Sequence, residues 1–195
     1  MKFPSRLILS ASAALASALL LAGPAAAATS TAPPPGRTIA SGESCWYNAD
    51  TGKTACFETQ KEMEEAIEAS TGTTLVYPTA KEATQAAELS ARGVAAPAAT
   101  YVNAVFYWNS NFGGSSFTST TSRSTMCKYH GYDFPNLGNW LGGWEDRIGS
   151  YRTYGNCKAT LYSERNYIGA TYGPSTYAPK LYAMDDRASS IRVHG

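Results

Sequence analysis

The sequence predicts an all-β C-terminal half, residues 102–195, preceded by a small segment of one hairpin and two helices. From Tyr101 onward the composition changes: 11 of the 13 tyrosines lie here among Gly, Ser and Thr, without a helical period. Short alternating stretches in this half are typical of half-buried strands, and they favour a small antiparallel sandwich. The predicted strands are residues 102–108, 116–120, 148–154, 158–162 and 188–193.

The N-terminus has the pattern of a signal peptide over residues 1–28. Lys2 and Arg6 precede an apolar run that is short for a membrane span, and Ala26 to Ala28 supply small residues for cleavage. A retained membrane anchor is the alternative interpretation. We expect a secreted, extracellular, monomeric protein that starts near Thr29.

Composition argues against several classes of partner. The chain carries 16 basic and 15 acidic residues, and the signal peptide removes two of the basic ones. This balance gives no electrostatic footprint for nucleic acid or for an anionic membrane.

The region before the β-rich half divides into three parts. Residues 29–43 are rich in Pro, Ser and Thr and predict a disordered lead. Residues 44–94 predict a hairpin with a turn near Asp50, then two helices that begin at Thr59 and Thr79 and end at glycines. Residues 95–101 are a linker. The 44–94 segment is either a pro-region that is removed or a permanent module.

The four cysteines predict two disulfides, because the chain is exported. Three connectivities are possible, and local pairing of Cys45 with Cys56 and of Cys127 with Cys157 is the economical one. The sequence has no C-x-x-C motif and no Cys/His cluster, so it does not indicate a zinc site.

An internal repeat is the strongest signal in the chain. An aromatic-x4-aromatic-x-Gly pattern occurs twice, and each copy is followed by an acidic pair and a later serine. The glycine permits a positive φ in a folded-over hairpin, and the serine can hydrogen-bond back to that hairpin. The repeat residues are Tyr107, Phe112, Gly114 and Ser150 in the first copy, and Tyr162, Tyr167, Gly169 and Ser190 in the second.

This repeat resembles the βγ-crystallin Greek-key motif. The resemblance implies two Greek-key motifs packed as one βγ-crystallin-like sandwich with pseudo-two-fold symmetry. In that family the acidic-pair loops bind Ca²⁺, which prefers oxygen ligands. The resemblance therefore implies a better calcium site at Asp185, Asp186, Arg187 and Ser189, and a weaker one at Glu145, Asp146 and Arg147, where Gly149 replaces the hydroxyl.

The first copy is the longer one, and its extra residues form an aromatic loop around residues 127–144. A long loop tied at one end is a candidate for partner contact. Its candidate contact residues are Tyr129, His130, Tyr132, Phe134, Trp140 and Trp144.

The domain also resembles the secreted actinobacterial metallopeptidase inhibitors built on this fold. That resemblance implies a non-enzymatic binding protein with a secreted protease as its partner. A calcium-stabilised extracellular structural protein and a small killer-toxin-like protein are the alternatives. His130 and His194 are the only histidines, and no nucleophile or paired-carboxylate signature accompanies them, so we expect no catalysis.

Overall fold

The computed structural model describes residues 40–139 and 143–195. The predicted signal peptide and residues 29–39 of the predicted lead lie outside the described residues. Within the described part, neither helix has the length and apolar character needed to cross a membrane.

The N-terminal segment forms the predicted hairpin and helices. Its elements are β1 (Ser44–Asn48), β2 (Thr54–Phe57), α1 (Gln60–Thr71), β3 (Leu75–Val76) and α2 (Ala80–Ala91). Helix α2 begins with a full capping box, in which Thr79 accepts from the Glu82 N–H and the Glu82 side chain accepts from the Thr79 N–H. Helix α1 has the first of these two hydrogen bonds, since the Thr59 hydroxyl accepts from the Glu62 N–H at 3.2 Å.

Eight further strands build the C-terminal half. They are β4 (Thr100–Asn109), β5 (Gly113–Thr121), β6 (Tyr132–Phe134), β7 (Ser150–Thr153), β8 (Lys158–Tyr162), β9 (Thr171–Ser175), β10 (Tyr177–Ala178) and β11 (Ser190–His194). One sheet has the order β10-β7-β4-β5-β1-β2, with β3 beside the start of β4, and the other has the order β6-β11-β8-β9.

The two motifs exchange their third strands. Strand β6 of the first motif pairs with β11 of the second, and β10 of the second pairs with β7 of the first. Each sheet of the sandwich is therefore completed by the other motif. This exchange confirms the predicted pair of Greek-key motifs and gives the domain its pseudo-two-fold symmetry.

A buried serine ties each folded hairpin to a later strand. The Ser150 hydroxyl accepts from the Phe112 N–H at 2.9 Å and donates to the Asn109 carbonyl at 2.6 Å. The Ser190 hydroxyl accepts from the Tyr167 N–H at 3.0 Å and donates to the Glu164 carbonyl at 2.6 Å. The predicted serine ties are therefore present in both copies.

The positive φ angles of the hairpins fall on more residues than the predicted glycines. Gly114 and Gly169 have φ of 77° and 85°, but Phe112 and Tyr167, the second aromatics, also have φ of 63° and 65°. Non-glycine residues rarely adopt such angles, so the serine ties hold a conformation that the local sequence resists.

The N-terminal segment is not separate from the sandwich. Strand β1 pairs in parallel with β5, from Ser44 opposite Ser116 to Asn48 opposite Thr120.

The predicted ends of the disordered lead and of the linker differ from those in the structure. Residues 40–43, assigned to the disordered lead, are ordered because the Gly42 N–H donates to the Ser115 hydroxyl at 2.9 Å. The predicted linker ends inside β4, since Thr100 is already buried in that strand.

Two apolar clusters hold the molecule together. The larger one lies between the sheets and includes Phe106, Phe117 and Tyr151, together with Cys45 and Ala83 from the N-terminal segment. The smaller one packs α1 on the hairpin through residues Trp46, Ala55, Met63 and Ile67. Both disulfides have the predicted local pairing, Cys45–Cys56 and Cys127–Cys157.

Candidate functional site

The two acidic loops bind each other through their backbones. The Asp146 N–H donates to the Ala188 carbonyl at 3.0 Å, and the Asp186 N–H donates to the Ile148 carbonyl at 3.2 Å. Both aspartates have left-handed backbones, with φ of 56° and 53°. The loops therefore form one paired unit, the loop unit. One side of this unit lies at Glu145 and the other side at Gly149, and each side contains residues of both motifs.

Glu145, at the edge of this unit, is paired with a residue that the sequence reasoning did not single out. Arg165, in the second hairpin, donates from Nε to Glu145 Oε1 at 2.9 Å and from Nη2 to Oε2 at 2.6 Å. The hydrogen bonds and the charge of Arg165 lower the pKa of Glu145 against the opposing effect of partial burial.

The resemblance groups the Ser189 hydroxyl with Asp185 and Asp186 of its own loop. The Asp146 N–H bonds the carbonyl of Ala188, the residue before Ser189, so this stretch also lies near the other acidic loop. The grouping of Ser189 with Asp185 and Asp186 stays a prediction.

The negative charges of Asp146 and Asp186 are less well balanced by neighbouring positive groups than that of Glu145. Burial raises the pKa of Asp146, and the charges of Glu145 and Glu164 raise it further, against Arg187 and Arg165. Burial also raises the pKa of Asp186, with further contributions from Asp185 and Asp146. Both carboxyls line an open cleft of about 490 Å³, whose other walls are Trp108, Asn109, Glu145 and Arg147.

The contacts on each side of the unit bear on the predicted calcium binding. On one side both oxygens of Glu145 bind Arg165. On the other side a serine or threonine does not fit at position 149 unless the backbone moves, because a Cβ added to Gly149 would lie 2.5 Å from the Trp108 carbonyl oxygen. Within residues 40–139 and 143–195, no three His, Cys, Asp or Glu side chains form a metal-binding group. Calcium binding stays a prediction.

The aromatic loop is mostly part of the core, which corrects the predicted contact residues. Tyr132, Phe134 and Trp144 are buried, because β6 pairs with β11 and Trp144 packs on Phe117. They cannot contact a partner without unfolding. Tyr129 is 61% exposed and His130 partly exposed. Trp140 lies outside the described residues.

The loop has a fixed base. Cys127 is bonded to Cys157, and its N–H donates to Asn156 Oδ1 at 3.1 Å. Farther along, the Trp144 N–H donates to the Leu137 carbonyl at 3.1 Å. The exposed segment around Tyr129 is therefore presented from an anchored position.

Two pairings at the site were missed from sequence. The sequence signal for the Arg165 pairing is the difference between the two copies, since the second hairpin has a basic residue where the first has Ser110. The other pairing joins Asp133 Oδ1 to His194 Nε2 at 3.0 Å, across β6 and β11. No local pattern indicated it, because the two residues meet only through the strand exchange.

Residues 106–173 match the family model described as peptidase inhibitor family I36. This range contains the first hairpin, the aromatic loop and the second hairpin. A comparison with curated proteins found no match.

Solved structures of βγ-crystallin domains are similar over less than half of the chain. A domain from Flavobacterium johnsoniae is 29% identical, covering 46% of this chain and 91% of its own, with a TM-score of 0.36. A domain from Clostridium beijerinckii is 16% identical, covering 47% and 97%, with a TM-score of 0.37. The N-terminal domain of Protein S is 22% identical, covering 47% and 93%, with a TM-score of 0.37.

The strand exchange and the two serine-tied hairpins define the fold, and the family match covers their central part. The C-terminal half of the chain is thus a βγ-crystallin-type Greek-key domain that resembles peptidase inhibitor family I36.

Proposed function

We propose that the protein is a secreted, non-enzymatic binding protein that inhibits a secreted protease. The observation that carries this proposal is the family match over residues 106–173. Those residues include the anchored aromatic loop, which is the part of the sandwich that most departs from the shorter second motif. The proposed contact is the exposed segment of that loop, around Lys128 and Tyr129.

A protease inhibitor of this type gains affinity from preorganisation. A loop that is already held in its bound shape loses little conformational freedom on binding. The Cys127–Cys157 disulfide, the Cys127–Asn156 hydrogen bond and the pairing of β6 with β11 supply that restraint. Tyr129 supplies exposed apolar area beside Lys128, whose Nζ lies 5.3 Å from the tyrosine ring centre.

The described residues give catalysis little support. All four cysteines are in disulfides, so no thiol nucleophile is free. His194 contacts Asp133, but both side chains are about half exposed. A binding role needs neither group.

Titration against a thermolysin-like metalloprotease and a subtilisin-like serine protease tests the proposal. We expect stoichiometric inhibition of the metalloprotease, with the inhibitor recovered intact. Tyr129→Ala should weaken inhibition, whereas Tyr182→Ala should not, because Tyr182 is an equally exposed tyrosine outside the loop. Digestion at the loop without inhibition of either enzyme would refute the proposal.

A further inference from the structure

The Glu145–Arg165 pair joins one element from each motif. Glu145 begins the first acidic loop, and Arg165 belongs to the second hairpin. Two guanidinium N–H groups converge on a single carboxylate. Such bidentate, charge-assisted bonds fix geometry better than a single ion pair does.

We propose that Arg165 is a built-in cation for this side of the loop unit, so that the stability of the domain does not depend on calcium. The guanidinium neutralises Glu145 and ties the first acidic loop to the second hairpin. The βγ-crystallin resemblance assigns that role to a bound calcium ion. Here a side chain of the same polypeptide fulfils it.

The packing around the pair favours the guanidinium over a metal ion. A Cβ added at Gly138 would lie 2.4 Å from Glu145 Oε2 and 2.9 Å from Arg165 Nη2, so the backbone closes directly over the pair. Calcium requires six to eight oxygen ligands, and both carboxylate oxygens at this position are already bonded to Arg165. The positive guanidinium would also repel a second cation at this distance.

The opposite side of the unit shows that this arrangement is specific to one motif. In the repeat, Ser110 stands where Arg165 stands, and Gly149 stands where Ser189 stands. The two hairpins are otherwise equivalent, since the Asn111 N–H donates to the Pro179 carbonyl and the Asn166 N–H to the Pro135 carbonyl, both at 2.8 Å. The replacement of the cation by Arg165 therefore belongs to the Glu145 side alone.

Thermal unfolding of the full secreted chain, in excess calcium and in EGTA, tests the inference. We expect the wild type to melt at the same temperature in both. Arg165→Gln should melt roughly 1 to 3 °C lower in EGTA, and calcium should raise its melting temperature because the Glu145 carboxylate is released. Glu145→Gln should melt lower without responding to calcium, and the double variant should melt no lower than the single variants.

Arg152→Gln is the matched control. Arg152 lies in β7 and its guanidinium carbon lies 3.9 Å from the centre of the Phe112 ring in the first hairpin, so the variant removes an arginine that packs on a hairpin without touching Glu145. It should show no calcium response. Calcium stabilisation of the wild type, or an Arg165→Gln variant as insensitive to calcium as the wild type, would overturn the inference.

Discussion

Gly149 and Ser189 occupy the same place in the two copies of the motif, but their surroundings differ. The N–H of each donates to the first aromatic residue of its own motif, Tyr107 or Tyr162, at 2.9 Å. Only Ser189 has space for a side chain. At Gly149 an added Cβ would meet three backbone atoms of residues 108–110 at 2.9 Å or less.

We therefore predict that Gly149→Ser destabilises the protein and does not create a calcium ligand. Forcing atoms into a packed position costs about 1 to 3 kcal/mol. Urea unfolding should show this loss with the same midpoint in calcium and in EGTA. Gly113→Ser is the control, because an added Cβ there has no neighbour closer than 3.7 Å. Equal stability of the two variants would contradict the prediction.

The β1–β2 hairpin is fixed to β5 through the carboxylate in its turn. Asp50 Oδ2 accepts from the Ser122 N–H at 2.6 Å, and Asp50 Oδ1 accepts from the Thr121 hydroxyl at 3.0 Å. Burial acts to raise the pKa of Asp50, but these hydrogen bonds and the charge of Arg123 outweigh it, so the pKa is lowered.

The lowered pKa of Asp50 predicts that the folded protein loses stability in acid. A carboxyl whose pKa is lower in the folded state stabilises that state above its unfolded pKa, near 4, and loses this contribution as the pH falls through the folded pKa. The urea midpoint of the wild type should therefore fall more steeply from pH 5 to pH 2 than that of Asp50→Asn. Glu65→Gln, an exposed change on α1, should follow the wild type. Parallel curves for Asp50→Asn and the wild type would count against this role.

The elements that sequence predicted well are those set by local contacts. The turn near Asp50, the caps at Thr59 and Thr79, and the hairpin ends at Gly114 and Gly169 each depend on a few neighbouring residues. The parallel pairing of β1 with β5 was not predictable, because it joins strands about seventy residues apart and leaves no periodic signal in either. Helix α2 also buries Ala83 and Ala87, while Leu89 is 44% exposed.

For the molecule as a whole, the N-terminal segment behaves as part of the sandwich. It completes one edge of a sheet, and the Gly155 N–H donates to the Pro78 carbonyl at 2.7 Å. Trp46 Nε1 donates to the Thr120 hydroxyl at 2.7 Å. We expect the protein to retain this segment, which favours the permanent module over the pro-region.

Cleavage between the two parts would show this directly. Both disulfides are local, so a specific protease site placed at the exposed residues 95–98 would leave no covalent link between the fragments. We predict that the fragments co-elute in size-exclusion chromatography and separate only in denaturant. The uncut protein in the same denaturant is the control. Separation under native conditions would restore the pro-region interpretation.

The candidate site was predictable only in part, and symmetry is the reason. Spacing identified the residue types of both acidic loops, because each loop is continuous in sequence. It could not show that Arg165 would reach the Glu145 carboxylate. That contact exists because two copies of one motif face each other about a pseudo-two-fold axis.

The strand exchange also governs the order in which the protein can assemble. Among the described strands, β6 pairs only with β11, which is made after all the other strands of the domain. The first motif therefore cannot place β6 in a sheet while the second motif is still being synthesised. Pairings of such long sequence separation are slow to form. The domain should consequently acquire its structure in one late, concerted event, and a chain halted before β11 would leave both motifs open.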